Sequence, residues 1–259
     1  MDKILLFIPA YNCEKQIPRV LAQLDKDVMK YISEVIVINN RSTDDTEAVV
    51  LKYKEKHPDF PLKVLRNHEN YGLGGSHKVA FDYAIENDFD YVITLHGDDQ
   101  GDIYDFLPVL RSEYYKKYDS ILGARFMMGS ELAGYSLFRT FGNIVYDFLF
   151  AAVIGQRVYD LGSGLNMYDV DKLKSRYYEK FPDNLMFNYC MVMAIEYYDQ
   201  NVKFFPISWR EDDQVSNVKM VSQASKVLKM LWDYYKNPAV IRDDYRGKEI
   251  TEYGADVIE

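Results

Sequence analysis

Short β-rich runs separated by longer amphipathic segments fill the first half of the chain, and that alternation restricts it to one class of architecture. KILLFIP (3–9), EVIVIN (34–39), LKVLRN (62–67), DYVITL (90–95) and DSILGA (119–124) read as strands. Helical spacing occupies about 14–26, a segment from about Asp44, 74–87 and a segment near 104–117. The Asp44 carboxylate is placed to cap the first turn of its helix. Strand–helix alternation predicts an α/β fold, a mainly parallel sheet with helices on both faces. Ligands of such sheets sit beyond the carboxyl ends of the strands. Those ends are Pro9-Ala10-Tyr11-Asn12, Asn39-Asn40-Arg41-Ser42 and His96 to Asp102, so three polar strand ends converge on one edge.

The second half is less regular. Apolar positions 137, 138, 141, 144, 145, 148, 149 and 152 form a helical stripe, and Arg139, Asn143 and Asp147 form a polar line at i, i+4 and i+8. That line suits either an anion held by Arg139 and oriented by Asp147, or an exposed face with one salt bridge. VKFFPISW (202–209) reads as a further strand and 218–235 as an amphipathic helix. The tail from Asn237 is polar and charged and reads as an appendage. Without repeats or low-complexity linkers, the chain divides into one domain over 1–220 and a C-terminal extension over 221–259, an amphipathic helix and a polar tail.

A net charge of −9 argues against wrapping a nucleic-acid backbone, which needs clustered Lys and Arg. Two cysteines, Cys13 and Cys190, form no framework, which makes a reducing cytosol the simplest compartment. MDKILLFIPAYN carries no cleavage-site pattern and reads as a strand. No uninterrupted run of about 18 apolar residues marks a membrane span. The nearest approach, 144–154, is broken by Asp147. Aromatic content of 15%, with 23 tyrosines, suits sugars, bases or membrane interfaces, and equally the edges of a core.

The densest chemistry lies in ITLHGDDQGD (93–102). In an extended segment His96, Asp98 and Gln100 point the same way, and two oxygen donors with an imidazole suit Mg²⁺ or Mn²⁺. A solvated acidic turn is the alternative reading. If His96 is a ligand, its protonation weakens donor binding below about pH 6.5. NYGLGGS (70–76) is not a dinucleotide fingerprint, because no glycine loop follows the first strand. It reads as a close backbone approach to a substrate or a flexible helix entry. Arg125 and Arg210 follow strands toward the same edge, and arginines beside a metal site suggest two phosphate-bearing ligands.

Seven segments taken in order resemble the family 2 glycosyltransferases of the GT-A fold, closest to their dolichyl- and polyprenyl-phosphate sugar transferases. IPAYNCEKQI resembles P-x-Y-N-x-E, VINNRSTDDT resembles V-D-D-x-S-x-D-x-T, and NHENYGLGGSHKVAFDYA resembles N-x-G-x-G-x-A. LHGDDQ resembles D-x-D-x-Q, LGARF resembles G-S-R-Y, and YDLGSGLNMY resembles D-x-x-S-G-F-x-x-Y. FFPISWREDDQVSNVK is similar to V-P-I-x-F-x-x-R-x-x-G-x-S-K. The match spans about residues 3–220.

The resemblance implies a GT-A, Rossmann-like domain and a set of roles. Pro9, Tyr11, Asn12, Glu14, Asn39 and Gly74 would line the nucleotide pocket for a UDP- or GDP-linked sugar. His96, Asp98 and Gln100 would hold the divalent ion at its diphosphate, with Asp98 central to catalysis. Arg125, Arg139, Asn143 and Arg210 would surround the acceptor phosphate, Arg125 and Arg139 being catalytic. Asp160, Ser163 and Gly164 would shape the sugar site. Two departures stand out: Asn39-Asn40 replaces an aspartate pair, and His96 replaces the first carboxylate of D-x-D.

Family members that glycosylate hydroxyls carry an acidic pair opening a late helix, and NLMFNYCMVMAIEYY (184–198) opens on none. A phosphate acceptor needs no base at neutral pH. The expected reaction is therefore inverting transfer from a nucleotide-sugar to a polyprenyl phosphate. The expected place is peripheral, at the cytoplasmic inner face of the membrane, with the stripe of 137–152 at the interface and Lys219, Lys226 and Lys229 toward anionic head groups, and with a membrane-protein partner as a further expectation. The alternatives are extension of a lipid-linked or capsular glycan at a hydroxyl, and a non-catalytic sugar-nucleotide-binding protein.

Overall fold

The computed structural model describes residues 2–211, 220–247 and 252–259. Its strands are β1 (Ile4–Ala10), β2 (Glu34–Asn39), β3 (Leu62–Asn67), β4 (Tyr91–Leu95), β5 (Ser120–Ala124), β6 (Glu131–Ala133), β7 (Leu165–Asp169), β8 (Val202–Pro206), β9 (Ser208–Arg210) and β10 (Ala255–Val257). Eight of them form one sheet in the order β10-β3-β2-β1-β4-β7-β5-β8, while β6 and β9 form a separate ribbon. Strands β3, β2, β1 and β4 run parallel to one another, as do β5 and β8. The exceptions are β10, antiparallel to β3, and β7, antiparallel to both neighbours. The expected α/β class and mainly parallel sheet are therefore realised.

The helices are α1 (Ile17–Ala22), α2 (Lys26–Met29), α3 (Thr46–Lys56), α4 (Gly72–Glu86), α5 (Leu107–Ser112), α6 (Leu137–Ile154), α7 (Val170–Leu173), α8 (Met186–Tyr197) and α9 (Met220–Lys236). Strand residues alternate between two cores. Leu5, Phe7, Ile36, Ile38 and Val92 pack with Val79, Phe81 and Phe187 on one face. Leu6, Ile8, Val35, Val37, Ile93 and Leu95 pack with Ile17 and Val20 on the other. A period of two with both faces covered explains why β1 reads as an uninterrupted apolar run.

Four expectations change. The helix expected over 14–26 splits, because Asp25 caps α2 by accepting from the amides of Asp27 (2.8 Å) and Val28 (3.1 Å). The helix near 104–117 is α5 flanked by 3₁₀ turns, broken where Glu113 takes a left-handed φ of 53°. The tail is no appendage: β10 extends the sheet at β3, and Tyr253 accepts a 2.9 Å hydrogen bond from the ammonium of fully buried Lys78. That ammonium also donates to Asp183 Oδ1 and Phe181 O, both at 2.7 Å.

The fourth concerns α6, whose stripe is exposed as expected for an interface but which, contrary to the reading of 144–154, suits a membrane span by length and composition. Its apolar stripe faces outward: Leu137 is 86%, Phe138 80% and Phe148 72% exposed, while Asp147 on the polar line is 6% exposed. By length and composition α6 is long and apolar enough to cross a membrane, the only such helix among the described residues, despite the interruption at Asp147. In the amphipathic helix α9, Lys226 and Lys229 are exposed, whereas Lys219 lies outside the described residues.

Candidate active site

The carboxyl ends of β1, β2, β3 and β4 meet on one edge, and their loops are tied together by short polar side chains. Asn12, at φ 50°, accepts from the Thr43 amide at 2.8 Å, and Glu14 accepts from the Asp45 amide at 3.0 Å. Asp44 holds the start of α3 through the Thr46 amide (3.1 Å) and reaches back to the Glu14 amide (3.1 Å). Buried Asn40 accepts from Asn67 Nδ2 and the Tyr71 amide and donates to Asn70 Oδ1, all at 2.9 Å. Sequence reasoning gave Asn40 no role; its amide both donates and accepts, so one side chain ties the loop after β2 to the loop after β3 at three points. Tyr11 stands half exposed at the open edge, and Pro9 accepts from the Gly97 amide at 3.1 Å.

Two residues assigned to the nucleotide pocket are drawn inward. Both ends of the Asn39 amide are engaged by the protein, Nδ2 with Glu47 at 2.6 Å and Oδ1 with the Ser42 amide at 2.9 Å, and the residue is buried. It therefore shapes the loop, with one donor and one acceptor position of its amide already taken by the protein. At Gly74 a Cβ would lie 2.3 Å from the Pro182 carbonyl, and the Gly74 amide donates to Asp183 O at 2.7 Å. The close backbone approach read from NYGLGGS is to the chain's own segment 182–183.

In the turn after β4, the chain does not stay extended, so His96, Asp98 and Gln100 do not share one direction as the i, i+2, i+4 spacing implied. The strand ends at Leu95, the Gly97 amide bonds to Pro9 O, and Asp99 takes a φ of 61°. Among the described residues, no three His, Cys, Asp or Glu side chains gather as a metal site. Asp98 nevertheless fits a cation: burial pushes its carboxyl up to about 6, with neighbouring Asp99 adding to the rise, and a divalent ion relieves that cost. His96 has its Nε2 sealed without a partner, so only Nδ1 is left to meet an ion. Burial, helped by Arg125, holds His96 down at about 4. The expected loss of donor binding through His96 protonation below pH 6.5 is therefore corrected, because the imidazole is neutral well below that.

Asp99, which sequence reasoning passed over, organises this turn. Its buried carboxylate accepts from Arg19 Nε at 2.5 Å and Gln23 Nε2 at 3.0 Å, and it pairs with Arg210. Arg210 also donates to Asp99 O at 2.7 Å, and its amide donates to Gln100 O at 3.0 Å. Arg210 was assigned to the acceptor phosphate beside Arg125 and Arg139. The structure instead attaches it to the Asp98–Gln100 turn, because β9 runs alongside Gly101.

The residues expected around an acceptor phosphate, other than Arg210, form a second group. Arg125 is clamped bidentately by Asp160 at 2.7 and 2.8 Å, and its amide also bonds Asp160 at 2.9 Å. Asp160 thus positions Arg125 more directly than it floors a sugar site. The guanidinium lies 5.0 Å from the Trp209 ring and 6.0 Å from the Tyr135 ring. Arg139 lies 4.7 Å from the same Tyr135 ring and pairs with Glu211 at 2.5 Å, while Asn143 donates to the Tyr135 hydroxyl at 2.9 Å. Tyr135 therefore gathers Arg125, Arg139 and Asn143, a role no spacing rule announced. Asp147 completes the group: burial and the Asp160 charge raise its carboxyl to about 8, against the pull of Arg125.

The segment before β7 joins the two groups. Because β7 inserts antiparallel between β4 and β5, its leading residues arrive at the same edge as the strand ends. Ser163 bonds Asn166 at 3.1 Å, and the Gly164 carbonyl accepts from the His96 amide at 3.0 Å. A Cβ at 164 would stand 2.6 Å from the His96 ring, so glycine is required there.

Comparison with known proteins agrees with this fold. Residues 6–176 match the model of "Glycosyl transferase family 2". The chain is 24% identical over 184 residues to the UDP-N-acetylglucosamine–dolichyl-phosphate N-acetylglucosaminyltransferase of Methanococcus voltae, covering 67% of this chain and 72% of that one. Among solved structures, it superposes on Staphylococcus aureus TarS bound to UDP-GlcNAc with a TM-score of 0.59 at 18% identity, covering 88% of this chain and 65% of that one. It superposes on Mycobacterium tuberculosis glucosyl-3-phosphoglycerate synthase, bound to Mn²⁺, UDP-glucose and glycerol 3-phosphate, with a TM-score of 0.62 at 15% identity, covering 91% and 80%.

Proposed function

Because the chain belongs to glycosyl transferase family 2, we propose that it moves a sugar, with inversion, from a nucleotide-sugar to a polyprenyl-phosphate-type lipid at the cytoplasmic face of a membrane. The observation that carries the acceptor reading is the inversion of α6. Its polar line turns inward to Tyr135 and Arg125, while its apolar stripe is left to solvent. A lipid phosphate needs both surfaces together, a cationic recess for the head and an apolar one beside it for the chain. The dolichyl-phosphate transferase of M. voltae among its relatives supports the same class of acceptor.

In this reading Pro9, Tyr11, Asn12 and Glu14 frame the nucleotide, and Ser163 and Gly164 border the sugar. Asp98, with His96 through Nδ1, would hold Mg²⁺ or Mn²⁺, which would supply Lewis-acid charge neutralisation at the departing diphosphate. Arg210 adds positive charge on that side through its hold on the Asp98–Gln100 turn. Arg125 and Arg139 orient the acceptor phosphate, whose ionised oxygen attacks the anomeric carbon without a base.

Asp147 favours a second reading, transfer to a hydroxyl, since a carboxyl raised to about 8 beside Arg125 is matched to proton abstraction near neutral pH. Incubation with labelled UDP- and GDP-sugars, Mn²⁺ and short polyprenyl phosphates separates them. A lipid product cleaved by mild acid supports the phosphate acceptor, and an acid-stable glycoside made on hydroxyl acceptors alone overturns it. Asp98→Ala is expected to lower turnover about a thousandfold, the rate equivalent of several kcal/mol of lost charge stabilisation. Unchanged turnover would instead favour a binding protein with adventitious activity.

A further inference from the structure

Two imidazoles lie side by side beneath the turn after β4, and only one of them belongs to it. His77, on α4, is fully buried and its ring centroid is 6.3 Å from that of His96, with the planes at 70°. The Nε2 atoms of both rings are sealed from solvent and have no hydrogen-bond partner. His77 also packs against the rings of Phe7, Phe81 and Phe187, at 5.3, 5.8 and 5.2 Å, which offer no hydrogen-bonding lone pair or proton.

One hydrogen bond fixes the protons. His77 Nδ1 lies 2.9 Å from the carbonyl of Leu73, one turn earlier on α4. A carbonyl only accepts, so Nδ1 carries the proton and His77 Nε2 is left as a lone pair. A second lone pair at His96 Nε2 would add another desolvated acceptor to the same apolar enclosure, which is costly. A proton at His96 Nε2 removes that conflict by turning one of the two acceptors into a donor.

We propose that His77 is a positioning residue that sets the tautomer of His96, keeping the proton on Nε2 and the lone pair on Nδ1. The inference rests on reading His96 as part of the cation site and deepens it. Neutral histidines bind metals through one nitrogen while the other is committed elsewhere, and that second partner orients the ligand. Here the partner is another histidine, itself anchored to a helix carbonyl. Gly164 serves the same end, since a Cβ there would lie 2.7 Å from His96 Nδ1 and cover it.

The test uses ¹⁵N-histidine-labelled, metal-free protein and long-range ¹H–¹⁵N correlation spectra at pH 7.5, with the four histidines assigned by substitution. The expected pattern is the Nδ1–H tautomer for His77 and the Nε2–H tautomer for His96. An Nδ1–H tautomer at His96 overturns the proposal, and this measurement needs no variant to fold. His77→Phe keeps the aromatic volume and removes the acceptor; His96 is then expected to shift toward a tautomer mixture. Mn²⁺ affinity, read by electron paramagnetic resonance of the free ion, is expected to fall about tenfold. An unchanged His96 spectrum in His77→Phe also overturns the proposal. If the tautomers are as stated and wild-type protein takes up no Mn²⁺, the positioning stands and the cation reading fails, so the two failures are distinct.

Discussion

The two longest helices beside the candidate site, α4 and α6, follow opposite rules. Helix α4 buries Val79, Ala80, Phe81 and Ala84, and with them the polar Ser76, His77 and Lys78. Helix α6 buries only Asp147, Phe150 and Ile154, and leaves Phe138, Phe141 and Phe148 in solvent. Both are strongly apolar, yet α4 has its partners within the fold, in the sheet and in α8. The outer face of α6 has no such partner among the described residues. Apolar periodicity indicates which residues share a face; it does not indicate what covers it.

Core truncation breaks the comparison most sharply. Phe81→Ala on α4 is expected to cost about 3–5 kcal/mol, whereas Phe141→Ala on α6 should stay within about 0.5 kcal/mol. Paired urea titrations measure both, and equal losses would mean that the α6 face is covered within the monomer. Lys78→Met should cost about 1–3 kcal/mol, because it takes the cation from partly buried Asp183 and leaves the Phe181 carbonyl without its donor. Limited proteolysis would then find the C-terminal tail released from β3, and a tail that stays protected would refute its anchoring through Lys78.

On α6, the triple change Phe138→Ser, Phe141→Ser, Phe148→Ser is expected to weaken binding to vesicles of phosphatidylglycerol and phosphatidylcholine at least about a hundredfold while leaving thermal unfolding almost unchanged. Flotation assays read the first and calorimetry the second. Wild-type protein that does not float with vesicles would remove the membrane from the proposed function.

The smallest effect is electrostatic. The folded-state carboxyl of Asp147 sits at about 8, above its unfolded value of 3.8, so between those values the native state holds a proton that the unfolded chain has lost. Its contribution to stability is therefore present at low pH and declines as pH rises toward 8. Asp147→Asn should remove that decline and be at least about 1 kcal/mol more stable relative to the parent at pH 8 than at pH 5. Parallel stability–pH curves for the two proteins would show that Asp147 is ionised throughout.

The sheet edge formed by the loops after β1, β2 and β4 was largely legible in advance. The strands β1 to β5 fell where β-rich runs ended in polar loops, and their carboxyl ends converge as parallel connections require. The same reading failed wherever a side chain's meaning depended on a distant neighbour. Arg210 and Arg125 look alike in sequence, yet Asp99 takes one and Asp160 the other. Gly74 was read as a close approach to a substrate and Gly164 as part of a sugar site, and the structure sets one against the segment at Pro182 and the other against the His96 ring. The antiparallel β7 was hidden inside a motif, because a strand five residues long has no signature of its direction.

By itself the sequence determined the strands β1 to β5, the edge on which chemistry is possible, and the family, because period-two burial and short ordered motifs are local properties that survive reading residue by residue. Only the tertiary structure decided that α6 turns its polar line inward, that Tyr135 gathers two arginines and an asparagine, and that His77 stands behind His96. Those facts arise from contacts between segments far apart in the chain, and periodicity along one segment carries no information about which other segment will lie against it.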